Sequence, residues 1–216
     1  GGEVRAPVVV SNASVWDTYG KLIPQGKAGV VPDAERSTAL ETKYTPSMMH
    51  LHLAIDAEGL DLSELGGHHV VVHDMEADIE EPGNVCMVSI PSVWDPDMAP
   101  EGCHSIHAYT LEPYERWTPG EDKADREAYE AKKEERLKTL WRALDRVIPG
   151  VRGRCFVEMS ASPLSHEFWL RRHKGTYGAE IRAPLTFPGP ATGLPGLYRT
   201  GDSTAPGVGV APAGAG

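Results

Sequence analysis

The chain has 216 residues, with 21 Lys+Arg against 31 Asp+Glu and a formal net charge of −10 at neutral pH. That acidic excess argues against nucleic-acid partners, which call for clustered cations. The 40% hydrophobic and 24% charged fractions are those of a globular protein, and no stretch approaches the roughly 20 apolar residues of a membrane-spanning helix.

Three scattered cysteines (Cys86, Cys103, Cys155), with no C-x-x-C, predict neither a disulfide framework nor a zinc ribbon and point to a reducing compartment. Residues 4–10 are mostly apolar and β-branched and read as a strand, with Ser11-Asn12-Ala13-Ser14 as a turn or helix cap. A short helix over 16–23 gives way to a loop marked by Pro24, Gly26, Gly29 and Pro32. Strands follow over 48–55, 69–73, 85–90 and 105–110, separated by Pro82-Gly83-Asn84 and Pro100-Glu101-Gly102. Such short connections predict an antiparallel sheet rather than βαβ units.

One strong helix is expected over 121–148. Thr118-Pro119-Gly120-Glu121 has the form of a capping box. Leu137, Leu140, Trp141, Leu144, Val147 and Ile148 recur at helical spacing, while 122–136 is mostly charged and is expected to face solvent. Pro149-Gly150 stops the helix. A strand over 155–160, a short helix or turn over 164–173 and a last strand over 197–200 complete the pass. The chain opens Gly1-Gly2-Glu3 and stops at Gly216 with no closing helix, which predicts a piece of something longer.

Chemistry concentrates near the end. The strand at 197–200 runs into Gly201-Asp202 and then Gly207-Val208-Gly209-Val210. Glycines let backbone N–H groups approach a cofactor, a helix start supplies partial positive charge, and Asp202 can accept from a sugar or ribityl hydroxyl. Composition alone leaves a Pro/Gly-rich tail equally open. Nine histidines include His50-x-His52 on one face of a strand, with His68, His69, His73, His104 and His107 in or beside neighbouring strands. They raise the alternative of a metal-binding or non-catalytic His-lined sheet. With no His-Glu-x-x-His and no cysteine partner, the reading commits to no metal. Glu167, Arg171, Arg172, His173, Lys174 and Glu180 form the densest polar cluster, read as a solvated face or an anion site. No residue pattern names a catalytic acid or base.

Several stretches resemble the carotenoid isomerases, within the FAD-dependent phytoene desaturase and amine oxidase superfamily. They include Met49-His-Leu-His-Leu-Ala-Ile-Asp-Ala-Glu-Gly59, Gly67-His-His-Val-Val-Val72, Thr110-Leu-Glu-Pro-Tyr-Glu-Arg-Trp117, Leu170-Arg-Arg-His-Lys-Gly-Thr-Tyr-Gly178 and Gly201-Asp-Ser-Thr-Ala-Pro-Gly-Val-Gly-Val210. The resemblance runs collinearly through nearly the whole chain.

It implies an α+β fold, α/β in the intact protein. A substrate domain with an antiparallel or mixed sheet would span 15–190, and partial Rossmann-like FAD-domain edges would span 1–14 and 191–216. It also implies FAD as cofactor, with Gly201, Asp202, Gly207, Val208, Gly209 and Val210 beside it. The implied reaction converts poly-cis lycopene to the all-trans form with reduced flavin and no net redox. The implied setting is a plastid in a photosynthetic eukaryote, with room for peripheral membrane contact because a carotenoid partitions into lipid. The nearest rival is a desaturase or retinol saturase-like oxidoreductase. Arg199 stands where the family commonly has Cys, and the Ala211-Pro212 order departs from its pattern.

Overall fold

The computed structural model describes residues 2–25, 31–61, 65–117, 120, 124–180, 189–202 and 204. In chain order the regular elements are β1 (Val9–Ser11), α1 (Val15–Asp17), α2 (Asp33–Leu40), β2 (Met48–Asp56), β3 (His68–Val72), β4 (Val85–Ser89) and α3 (Pro91–Trp94). They continue with β5 (Cys103–Leu111), α4 (Arg126–Val147), β6 (Cys155–Ala161), α5 (Pro163–Leu170) and β7 (Leu197–Arg199). Two compact units result, Pro46–Trp169 and Gly1–Thr45 with Leu170–Gly216.

In the first unit five strands lie in the order β3-β4-β5-β2-β6, each antiparallel to its neighbours. The α+β class and the antiparallel sheet expected from the short connections are both present. Strand side chains alternate between faces. Met49, Leu51, Leu53 and Ile55 of β2 therefore join Val88, Ile106 and Ala108 in one buried layer. Leu137, Leu140, Trp141 and Leu144 of α4 belong to the same core, one apolar stripe at helical spacing.

The start of α4 differs from expectation. Thr118, Pro119 and Glu121 of the anticipated capping box lie outside the described residues. The described helix begins at Arg126, with the Asp125 side chain accepting from the Ala128 N–H at 2.9 Å. Its charged half is not all solvated. Tyr129 is buried with its hydroxyl 2.8 Å from Ser162 Oγ. Arg136 donates through Nε and Nη2 to Glu112 Oε2 at 3.0 and 2.7 Å. Glu112 is only 1% exposed and also accepts from Trp117 Nε1 at 3.2 Å. A buried carboxylate needs such partners to stay charged.

In the second unit β1 and β7 pair in parallel, Val9 opposite Leu197 and Ser11 opposite Arg199. Its core holds Val15, Trp16, Tyr19, Ile23 and Ala39. Ser14 caps α1: its hydroxyl accepts from the Asp17 N–H at 3.1 Å and donates to Asp17 Oδ2 at 2.6 Å. A π-helical turn at Thr18–Leu22 continues α1 where a plain short helix was expected. Described residues within 15–45 and 170–190, which the sequence reading placed with the substrate domain, lie in this unit beside the two terminal edges.

Candidate functional site

The face of the five-stranded sheet away from α4 carries an unusual set of side chains. Residues directly paired across antiparallel strands share a face, and the register sets His52 opposite His107 on β5 and Met159 on β6. His50 lies opposite Tyr109, and Tyr109 in turn opposite Met87 and, one strand further, Val70. The result is a row of aromatic, thioether and β-branched groups. Val70, Val157 and Met159 on this face are exposed.

Four imidazoles gather in the middle of that row. The His52 and His107 rings stack at 4.2 Å between centroids, His50 and His107 at 5.0 Å, and His166 of α5 lies 4.6 Å from His50. His50 Nδ1 is 2.7 Å from His107 Nε2, hydrogen-bonding distance. Burial disfavours the imidazolium. It lowers the His50 pKa to about 2, reinforced by His166, His107 and His52, and the His107 pKa to about 4, reinforced by His52 and His166. Burial pushes His52 down as well. These rings are neutral at physiological pH, so they accept hydrogen bonds or ligate cations rather than supply protons. Other histidines are partner-bonded: His68 to Ser89 Oγ at 2.6 Å, His73 to the Thr139 carbonyl at 3.1 Å, and His104 to Ser92 Oγ at 2.9 Å.

The second candidate place is the turn after β7. Gly201 has φ +108, and a Cβ there would sit 2.8 Å from Asn12 Oδ1, just beyond β1. Glycine is therefore required where the carboxyl ends of two parallel strands meet, the position at which nucleotides bind in α/β folds. Asp202 accepts a hydrogen bond from Arg172 Nη2, and a Cβ on Gly178 would lie 2.9 Å from its Cγ. Gly201 and Asp202 are thus brought together with Asn12, Arg172 and Gly178. Gly207, Val208, Gly209 and Val210 lie outside the described residues. Arg199 is buried, with its guanidinium 5.3 Å from the centre of the Tyr19 ring and Nη2 donating to the Gly189 carbonyl at 3.0 Å.

The polar cluster seen in the sequence divides between the units, with Glu167 in the first and Arg171, Arg172, His173, Lys174 and Glu180 in the second. Glu167 accepts from the Tyr114 hydroxyl at 2.9 Å in one unit. In the other, the His173 ring stacks on Trp16 at 5.0 Å and Lys174 Nζ donates to the Tyr44 hydroxyl at 2.6 Å. Sequence reasoning missed Glu112 and His166. The only available signal for His166 was its place on a short helix following a strand, which says nothing about His50.

Comparison with known proteins defines the class first: the relatives are isomerase and oxidoreductase enzymes. No family model matches the chain. Prolycopene isomerase of Arabidopsis thaliana, a chloroplastic protein, is 34% identical over 215 residues, 97% of this chain and 35% of that protein. Its counterpart in Daucus carota is 33% identical over the same share of the chain. All-trans-retinol 13,14-reductase of Rattus norvegicus is 23% identical over 92% of the chain and 36% of its own length. The chain is therefore similar to the carotenoid isomerases along nearly its whole length, and it spans about a third of the relatives it matches. The crystal structure of a Methanosarcina mazei oxidoreductase has the same fold, with a TM-score of 0.50 at 20% identity over 97% of this chain and 41% of that one. That likeness fits an antiparallel-sheet domain joined to part of a Rossmann-like domain.

Proposed function

We propose that this chain is the polyene-facing domain and the C-terminal flavin-facing edge of an FAD-dependent carotenoid cis–trans isomerase that converts poly-cis lycopene to the all-trans isomer in a plastid. The carrying observation is 34% identity to a prolycopene isomerase over 97% of the chain. In this reading residues 1–14 and 191–216 attend the flavin and the sheet domain attends the substrate. The sheet's open face suits an extended hydrocarbon: Val70, Met87, Tyr109 and Met159 lie on it, on strands either side of His50 and His52 of β2.

The residues present fit a flavin dinucleotide at the turn after β7. Gly201, at positive φ, lets the turn close on Asn12, and Asp202 offers a carboxylate held in place by Arg172. Gly207, Val208, Gly209 and Val210 would contribute backbone N–H groups to the flavin edge. When bound, FAD supplies reversible electron exchange that lowers the double-bond order of the polyene. The chain's own part is to align the hydrocarbon, exclude water from it and favour negative charge near the flavin.

The test uses the protein carrying these residues at the full length of its relatives. It would be supplied with prereduced flavin and poly-cis lycopene, with oxygen and quinone excluded, and its products followed by isomer composition and mass. Fewer cis bonds at unchanged mass is the expected result. A change in hydrogen count would replace this reading with the reductase or desaturase one that the retinol reductase match favours.

A further inference from the structure

We propose that His50, His52 and His107 form a binding site for a divalent late transition metal, zinc or copper, on the open face of the five-stranded sheet. Spacing alone pointed to no metal here; the site follows from the strand register and does not rest on the isomerase proposal.

One ring nitrogen from each of the three histidines lies within 4.8 Å of the others. Zinc–imidazole bonds of 2.0–2.1 Å set neighbouring ligand nitrogens roughly 3.3 Å apart in a tetrahedron. The His50 Nδ1 to His107 Nε2 separation of 2.7 Å is a little inside that value. The backbone is well suited to hold such a site. His-x-His on a strand puts two imidazoles on one face, and the third comes from the residue paired directly with His52. β2 is hydrogen-bonded along both edges, by β5 and β6, and its opposite face is packed into the core, so the three Cα positions are fixed.

His166 packs against the His50 ring from α5 and limits its rotation, as a positioning residue. Neutral imidazole is the form that ligates metal. An all-imidazole set selects zinc, copper or nickel over magnesium or calcium. Three protein ligands leave a fourth position for water or an oxygen donor, on the side where His52 is exposed.

The chain, prepared without a histidine tag and stripped with a chelator, would be dialysed against Zn²⁺ and separately titrated with Cu²⁺. The expected result is one tightly held equivalent of zinc and a copper paramagnetic spectrum with coupling to three nitrogens. His52→Asn and His107→Asn should each weaken zinc retention by roughly 10–100-fold or more. His104→Asn, which alters a ring bonded to Ser92, should retain it. Far-ultraviolet circular dichroism would verify that the sheet survives each change, and the exposed His52 makes that variant the safest. Failure of the parent chain to hold an equivalent would overturn the site. So would equal retention by His52→Asn and His107→Asn.

Discussion

Asp17 shows how one side chain ties a local signal to stability. It is buried, and burial alone would raise its pKa, but hydrogen bonds from Lys21 and Ser14 and the nearby positive charges hold it below the ordinary carboxylate value. A carboxyl depressed on folding contributes stability that is present above the unfolded pKa and lost as pH falls through the folded one. Asp17→Asn should therefore destabilise the protein by about 1.5–3 kcal/mol at pH 7, the worth of hydrogen bonds to a charged group. That deficit should shrink as pH falls below the ordinary carboxylate range. Urea unfolding of both proteins across this range checks it, and a deficit constant with pH would contradict it. Glu112 makes a parallel case: Glu112→Ala strands Arg136 and the Trp117 N–H. It should cost about 1.5–3 kcal/mol, because hydrogen bonds to a buried charged group are lost. Glu112→Gln, which retains an acceptor for Trp117, should cost less. Chemical denaturation of the two variants separates them.

At the scale of elements, β2 and α4 carry the first unit. Leu144 of α4 is fully buried in the layer formed with β2, so Leu144→Ala should lower stability by about 2–5 kcal/mol, read from the denaturation midpoint. Loss of the cap is milder: Asp125→Ala should cost about 1 kcal/mol. These elements also show what a sequence discloses. Alternation in 48–55 and the Leu137–Leu144 stripe are local periodicities, so the strand and the buried helix face were legible. The start of α4 was not. Several polar residues before it are able to cap, and their competition is settled by how the preceding chain enters the helix. Nor was the inward turn of Arg136 legible, since its partner Glu112 is 24 residues away and nothing local marks the pair.

For the whole molecule, the proposed function assigns the open sheet face to a hydrocarbon and the glycine turn to a nucleotide. No G-x-G-x-x-G occurs in these 216 residues, so the donors that cradle a pyrophosphate are not encoded in them. The chain by itself should consequently retain far less than one equivalent of FAD through gel filtration. Stoichiometric flavin absorbance in the protein peak would contradict this. Among the described residues no helix is long and apolar enough to cross a membrane.

The sequence by itself determined the α+β class, the strands and their faces, the main helix and the likeness to carotenoid isomerases, because these rest on local periodicity and collinear motifs. Tertiary structure alone decided that His50, His52, His107 and His166 converge, that Glu112 is a buried counter-charge, and that Gly201 closes on Asn12. Each depends on strand register or on chain segments far apart in sequence. A shift of one residue in β5 would move His107 to the other face, and no composition or spacing within either strand fixes that register.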